Sequence, residues 1–317
     1  MMTVATSGMR MAAGGRPARP AAPWLRRLRF FAAVLRARPS FALGYAIVVG
    51  VILVALLAPW IVPFGAMVAD PNVYLQPPNS SHLLGTDDTG MDILSRVLCA
   101  PRVDLTIAML GTLVSASIGS AVGGIVGYYE GQRSWRRAVS TFVMRSADVL
   151  QAFPVFVFAI ALVAVFGQSL RSIIIAIAFV NTPIYLRLMR TQVLSIRGHR
   201  YIEAAYVAGA SDFAILARHV IPNAIAPVLA QLSVNIGWAI LLTAGLSFVG
   251  AGVVAPTPEW GSMIAMGFQN VVTGQWWPSV FPGIALGITV FGFALVGASV
   301  EVLADPMRRR ILSGSLR

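Results

Sequence analysis

Glu203-Ala204-Ala205-Tyr206-Val207-Ala208-Gly209-Ala210-Ser211-Asp212, running on to Arg218-His219-Val220-Ile221-Pro222, is the longest well-marked polar connection between apolar runs in this 317-residue chain. Its pattern predicts two short helices. Ala204 and Ala208 make one small pair at i,i+4, and Ala205 and Gly209 make another, so a second backbone can approach closely. Gly209 stands where a first helix would end in a left-handed residue, and Ser211 or Asp212 can cap a second. Pro222 is expected to separate that second helix from the next apolar run. A helix–Gly–helix with an alanine face, outside the membrane, is a shape suited to being gripped by another chain.

The regions around it are apolar. The chain is 57% hydrophobic and 11% charged, with a mean hydropathy of +0.77, which is not a soluble domain's balance. All 24 basic residues are Arg, because the sequence has no Lys. A GxxxxGK[ST] phosphate loop and a Schiff-base lysine are therefore excluded. The single Cys99 excludes an intrachain disulfide and a Cys-cluster metal site. A net charge of +12 alone would admit nucleic acid, but this hydropathy assigns the charge to membrane topology, with no nucleic-acid partner.

Residues 1–22 lack apolar periodicity and are expected to be disordered, within a basic cytoplasmic segment 1–40. Leu25-Arg26-Arg27-Leu28-Arg29 superficially resembles a twin-arginine export signal. The run that follows, about Phe41 to Val62, is long enough to span and lacks a small-residue cleavage site, so it reads as an uncleaved first helix. Further runs fall near Leu105–Tyr128, Val139–Phe166, Leu170–Met189, Ala224–Phe248 and Phe281–Leu303. Six spans are predicted, each near or above about 20 residues. With the N-terminus inside, 21 arginines lie on the cytoplasmic side, and only Arg96, Arg102 and Arg171 lie outside. Both termini are thus expected in the cytoplasm, with the loop 195–222 and the tail 304–317.

Two outer segments stand out. In the linker 63–102, Leu84-Gly85-Thr86-Asp87-Asp88-Thr89-Gly90-Met91-Asp92-Ile93-Leu94-Ser95-Arg96 has the acidic density of a calcium loop. Met91 is no hard oxygen ligand, and no acidic residue stands at a twelfth position. Asp87, Asp92 and Arg96 are expected instead to cap and pair within a compact turn. The second segment, 249–280, carries Pro256, Pro258, Trp260, Gly261, Trp276, Trp277 and Pro278. Trp276 and Trp277 read as an interfacial belt, and the segment's length suits a lid or a docking surface.

Few polar groups lie inside the spans. Asp148 is expected to pair with Arg145 at the inner boundary, with Pro154 bending the helix. Gln231, Ser233 and Asn235 either line a polar path or tie helices together by hydrogen bonds. Glu301 lies close enough to Arg308–Arg310 to be an interfacial anchor. The histidines, His82, His199 and His219, all fall outside the spans, so an intramembrane serine–histidine hydrolase lacks its base. No HExxH occurs. No internal repeat of the secondary-transporter kind is evident. What remains is a non-catalytic pore-forming subunit powered by another chain.

Glu203-Ala204-Ala205-x3-Gly209, closed by Pro222, resembles the EAA motif of bacterial ABC importer permeases. The likeness continues through Gly85-Thr86-Asp87, Gly90, Asp92, Ser95 and Arg96, and through Asp148 with Ala152-Phe153-Pro154. It includes Ser211-Asp212, Arg218-His219, Leu246-Ser247-Phe248-x-Gly250, Pro258-x-Trp260-Gly261-x-Met263, Phe281-Pro282-Gly283, and Asp305-Pro306 with Arg308. This set resembles the C-type permease of the dipeptide/oligopeptide branch over about residues 26–310. Two positions depart from the pattern: Met91 stands where Arg is usual after Gly90, and Ile221 replaces a Leu before Pro222.

The resemblance implies an all-α, six-span type I importer permease in the bacterial inner membrane. It implies a B-type permease partner, two ABC ATPase subunits and an extracytoplasmic peptide-binding protein. This chain would bind no cofactor of its own; ATP and magnesium would be used by the ATPases. Glu203 to Pro222 would form the coupling site, with Glu203, Ala204, Ala205, Ala208, Gly209, Ser211, Asp212, Arg218 and His219 as its residues. The outer motifs (Gly85 to Arg96, and Pro258, Trp260 and Gly261) would serve structure or contact the binding protein. The same architecture also carries haem, nickel or glutathione in relatives, and a subunit that anchors an ATPase without forming a path is the competing reading.

Overall fold

The computed structural model describes residues 23–131 and 134–304. The tail motif Asp305-Pro306 with Arg308, the segment 1–22, and the arginines counted there and at 133 lie outside the described residues. Among those described there is no β-strand, only an isolated bridge between Thr86 and Asp92.

A lead-in helix α1 (Pro23–Ala37) precedes α2 (Pro39–Ile61), which Pro39 can open because its missing N–H would be unpaired in a first turn anyway. Next come α3 (Ile93–Tyr129), α4 (Ser134–Ala152), α5 (Val155–Phe166) and α6 (Leu170–Ile196). The polar connection holds α7 (Arg200–Val207), α8 (Asp212–Ile215), a wide π turn over Leu216–Val220, and α9 (Ile221–Ala224). The chain closes with α10 (Ala226–Phe248), α11 (Trp260–Val271) and α12 (Trp277–Ala304).

Five helices, α2, α3, α6, α10 and α12, are each long and apolar enough to cross a membrane. The expected third span is not one helix. It breaks at Phe153-Pro154 into α4 and α5, which are bent by 94°. Pro154 has no N–H for the Leu150 carbonyl, so the ladder of α4 cannot continue through it. The second span also differs from its predicted run. It begins at Ile93, inside the outer motif, because Asp92 caps it by accepting from the Ser95 N–H at 2.8 Å. At about 1.5 Å per residue this single helix is about 55 Å long and reaches from the motif at 84–96 to the polar connection at the other end.

Glycines hold α3 against α6. A Cβ at Gly119 would meet the Thr182 carbonyl oxygen at 2.6 Å, at Gly123 that of Leu186 at 2.2 Å, and at Gly127 that of Arg190 at 2.9 Å. The contacts advance together along both helices, so the pair runs parallel with backbones in near contact. The outer half of the core joins α2, α3, α5, α6, α10, α11 and α12 around Ile107, Ile177, Ile240, Leu246 and Trp260. A second cluster at the other end packs Tyr185, Met189 and Val193 against Ile202, Ile215, Leu216 and Val220. One face of α2, with Leu43, Leu53, Leu56 and Leu57, remains exposed, as suits a helix against lipid.

Candidate functional site: an exposed hairpin and a buried clasp

The polar connection folds as a hairpin. α7 ends with Ala208 as cap, and Gly209 takes φ +83°. The Ala210 N–H donates to the Ala205 carbonyl at 3.1 Å, and the Gly209 N–H donates to that of Tyr206 at 3.0 Å. These two bonds form a Schellman motif, which requires a left-handed residue where Gly209 stands. Ser211 then caps α8, accepting from the Ala214 N–H at 3.3 Å. Asp212 does not cap; its Oδ1 accepts from the Tyr128 hydroxyl at 3.1 Å, at the end of α3.

The helical path does not stop at Pro222. It widens into the π turn, where the Ile221 N–H reaches the Leu216 carbonyl, and Pro222 sits in the first turn of α9. Pro222 cannot donate to Arg218, and the wider turn absorbs the missing bond. Arg218 and Pro222 are exposed, and His219 is half-buried with its carbonyl accepting from Asn223 Nδ2 at 2.6 Å.

The alanines divide between the two faces. Ala204 and Ala208 are exposed with Glu203, whereas Ala205 packs inward on the cluster around Ile202 and Ile215. The surface left bare is mostly larger side chains: Val207 is 86% exposed, Phe213 77% and Tyr206 67%. The sequence pattern pointed to the alanines and passed over Phe213, whose exposure only the fold reveals.

Arginines at the end of α6, where the chain enters the hairpin, fix it to α3 and α4. Arg197 Nη1 donates to the carbonyls of Gly127 (3.0 Å) and Glu130 (2.6 Å), closing the carbonyl end of α3. Arg190 makes a two-pronged pair with Glu130 at 2.9 and 2.7 Å. Asp148 is held chiefly by Arg187 of α6 at 2.6 Å, with the expected neighbour Arg145 at 3.9 Å. The Arg187 partner lies 39 positions away in sequence, so local spacing could not find it.

At the opposite end lies a buried clasp. Asp87 Oδ1 accepts from Thr89 N–H, Thr89 Oγ1 and Met91 N–H at 2.9, 2.6 and 2.9 Å, and Oδ2 lies 3.5 Å from Arg96 Nε. Asp92 Oδ2 accepts from Ser95, and Oδ1 from His82 Nδ1 at 2.9 Å. Arg96, 1% exposed, donates to the carbonyls of Ala66 and Pro256 at 3.2 Å and to the Met91 sulfur. Met91 thus completes the buried packing of Arg96. Burial, and then the charge of Asp87, raise the Asp88 carboxyl above its ordinary range, while Arg96 pulls against them. Gly85 and Gly90 have φ of +79° and +74°, and a Cβ on Gly90 would lie 1.9 Å from the Asp70 carbonyl oxygen.

The 249–280 segment is built into the same clasp. Glu259, fully buried, caps α11 through both oxygens, to Gly261 N–H at 2.8 Å and Ser262 N–H at 2.7 Å. Trp260 Nε1 donates to the Val97 carbonyl at 3.3 Å, and a Cβ on Gly261 would lie 2.3 Å from Ala244 Cα. Pro258 is buried beside them. Trp277 corrects the interfacial-belt reading: it is 8% exposed and donates its indole N–H to the Thr86 carbonyl at 3.1 Å, whereas Trp276 is 47% exposed. Thr86 is itself fully buried, with its hydroxyl between Val73 and Gln76.

The three polar residues of α10 do different things. Ser233 donates to the Phe293 carbonyl at 3.0 Å and ties α10 to α12. Gln231 donates to Asn235 Oδ1 at 2.8 Å, within α10.

A bundle of spanning helices, with a rigid buried clasp at one end and an exposed helical hairpin at the other, defines a multi-pass membrane component. Residues 104–310 match the family described as binding-protein-dependent transport system inner membrane component, and the chain belongs to that family. It is similar to the dipeptide transport system permease protein DppC of Alkalihalophilus pseudofirmus, with 36% identity over 83% of this chain and 84% of that one. It is also similar to the glutathione transport system permease protein GsiD of Pectobacterium atrosepticum, with 35% identity over 90% and 91% of the two chains. A chain of the MetNI methionine ABC transporter in inward-facing conformation superposes with a TM-score of 0.53. That match covers 67% of this chain and 98% of the other at 18% identity, a likeness of fold. The protein is an inner-membrane permease component of an ABC importer.

Proposed function

We propose that this permease carries di- or oligopeptides, forming half of a pathway shared with a B-type permease, with both termini in the cytoplasm. An extracytoplasmic binding protein delivers the peptide, and two ABC ATPase subunits, using ATP and magnesium, grip the hairpin α7–α8. The observation that carries the coupling role is the bare apolar side chains of the hairpin: Tyr206 and Val207, one turn from Glu203 on α7, and Phe213 on α8. An apolar cluster of this exposure on a membrane protein's polar end marks a contact with another protein. The hydrogen bond from Tyr128 to Asp212 and the Arg197 clamp link that contact to α3, so a pull on the hairpin is transmitted to a spanning helix. The peptide class is supported by the names of the relatives, since glutathione is itself a short peptide.

Co-purification from solubilised membranes tests this reading. The intact chain is expected to bring down an ATPase, a second permease and a solute-binding protein. Phe213→Asp with Glu203→Arg is expected to lose the ATPase and keep the second permease. An intact chain recovered alone, or an ATPase that stays with the double variant, would contradict it.

A further inference from the structure

The break between α4 and α5 opens on a cavity of about 230 Å³, walled by Leu150 and Gln151 from the end of α4 and by Val155 and Phe158 from the start of α5. Asn181 of α6 and Trp238 of α10 line its far side. Asn181 is fully buried, and neither atom of its carboxamide has a hydrogen-bond partner among the described residues. A buried amide left unpaired is destabilising, so an unfilled donor and acceptor here call for a ligand.

The position is deep. Counting about 1.5 Å per residue, Asn181 lies about 17 Å into α6, the break about 18 Å from the far end of α5, and Trp238 about 15 Å from the same end of α10. All are near the middle of a hydrocarbon core of about 30 Å. Non-helical backbone at that depth survives only buried in protein or facing a water-filled cavity. The first turn of α5 has no side-chain cap and no acidic residue, so its amide N–H groups and the positive end of its dipole face the break. The nearest carboxylate on α4, Asp148, is already neutralised by Arg187.

We infer that this cavity is a solute subsite in the transport path, taking the carboxylate of a short peptide at the N-terminus of α5 and its neighbouring amide at Asn181. The inference rests on the peptide-importer reading above. A volume below the roughly 300–1,000 Å³ of drug-sized pockets suits about two residues at a time and not a whole oligopeptide. The apolar walls of Phe158 and Trp238 tolerate many side chains, while the two polar features read only what every peptide shares.

Cysteine protection in the assembled complex tests it. With Cys99→Ser and Gln151→Cys, on the half-buried wall of the cavity, a methanethiosulfonate reagent is expected to label the new thiol. Alanyl-alanine at ten times its Kd should slow labelling about tenfold. Alanyl-alanine amide, which lacks the carboxylate, should not. Phe158→Cys, on the α5 wall, gives a second, independent reading should the first variant fail to assemble. No protection by either compound into the millimolar range, equal protection by both, or no labelling at either position would overturn the subsite. ATP-driven peptide uptake by the unmodified complex is measured alongside. Uptake without protection rejects this subsite alone, whereas absence of uptake rejects the importer reading beneath it.

Discussion

Asp92 gives one carboxylate oxygen to the N-terminus of α3 and the other to the His82 ring, and so joins a helix to the loop before it. Asp92→Ala should lower the stability of the solubilised chain by about 1–2 kcal/mol from the lost cap alone. A denaturation midpoint equal to the wild type would show that the clasp does not depend on it. Gly90→Ala is the sharper case. The added carbon would overlap the Asp70 carbonyl oxygen, and φ +74° penalises any Cβ. That variant should lose more than about 1 kcal/mol, read by the same midpoint. Asp87, Asp92 and Arg96 were legible in the sequence because their partners lie within a few positions. Trp277 was not, because its partner Thr86 lies 191 positions away.

The pairing of α3 with α6 depends on which glycines face the seam. Gly123 presses on the Leu186 carbonyl, whereas a Cβ at its neighbour Gly124 would find its nearest atom, Met189 Cγ, at 3.7 Å, an ordinary contact. Gly123→Ala should therefore impair folding and assembly, while Gly124→Ala should be neutral or gain up to about 1 kcal/mol from helix propensity. Thermal stability of the two variants in detergent checks this, and equal behaviour would refute the seam. The five straight spans were readable from their apolar length. The break at Pro154 was readable as a bend, but not as a turn of 94°, since its size is set by what α6 and α10 leave open. The π turn was hidden for a similar reason: Pro222 announces a missing donor, and the fold decides whether the helix stops or widens there.

Across the whole molecule the two ends are joined by one helix. α3 starts within the outer clasp at Asp92, and its other end is held by Arg197 and by the Tyr128–Asp212 hydrogen bond. A displacement of the hairpin has a direct route to the opposite face, along a helix pair too tightly packed to shear freely. The sequence displayed both ends as separate motifs; the continuity between them appeared only when α3 proved to begin at Ile93. The most direct test of coupling through the hairpin is ATP-driven peptide uptake in proteoliposomes, comparing the wild type with Gly209→Leu. At φ +83° a leucine strains the Schellman turn, while nothing lies within 4 Å for it to clash with, so the spans should still insert. The account predicts that the variant assembles in the membrane and that ATP hydrolysis continues without uptake. Uptake per ATP equal to the wild type would contradict it.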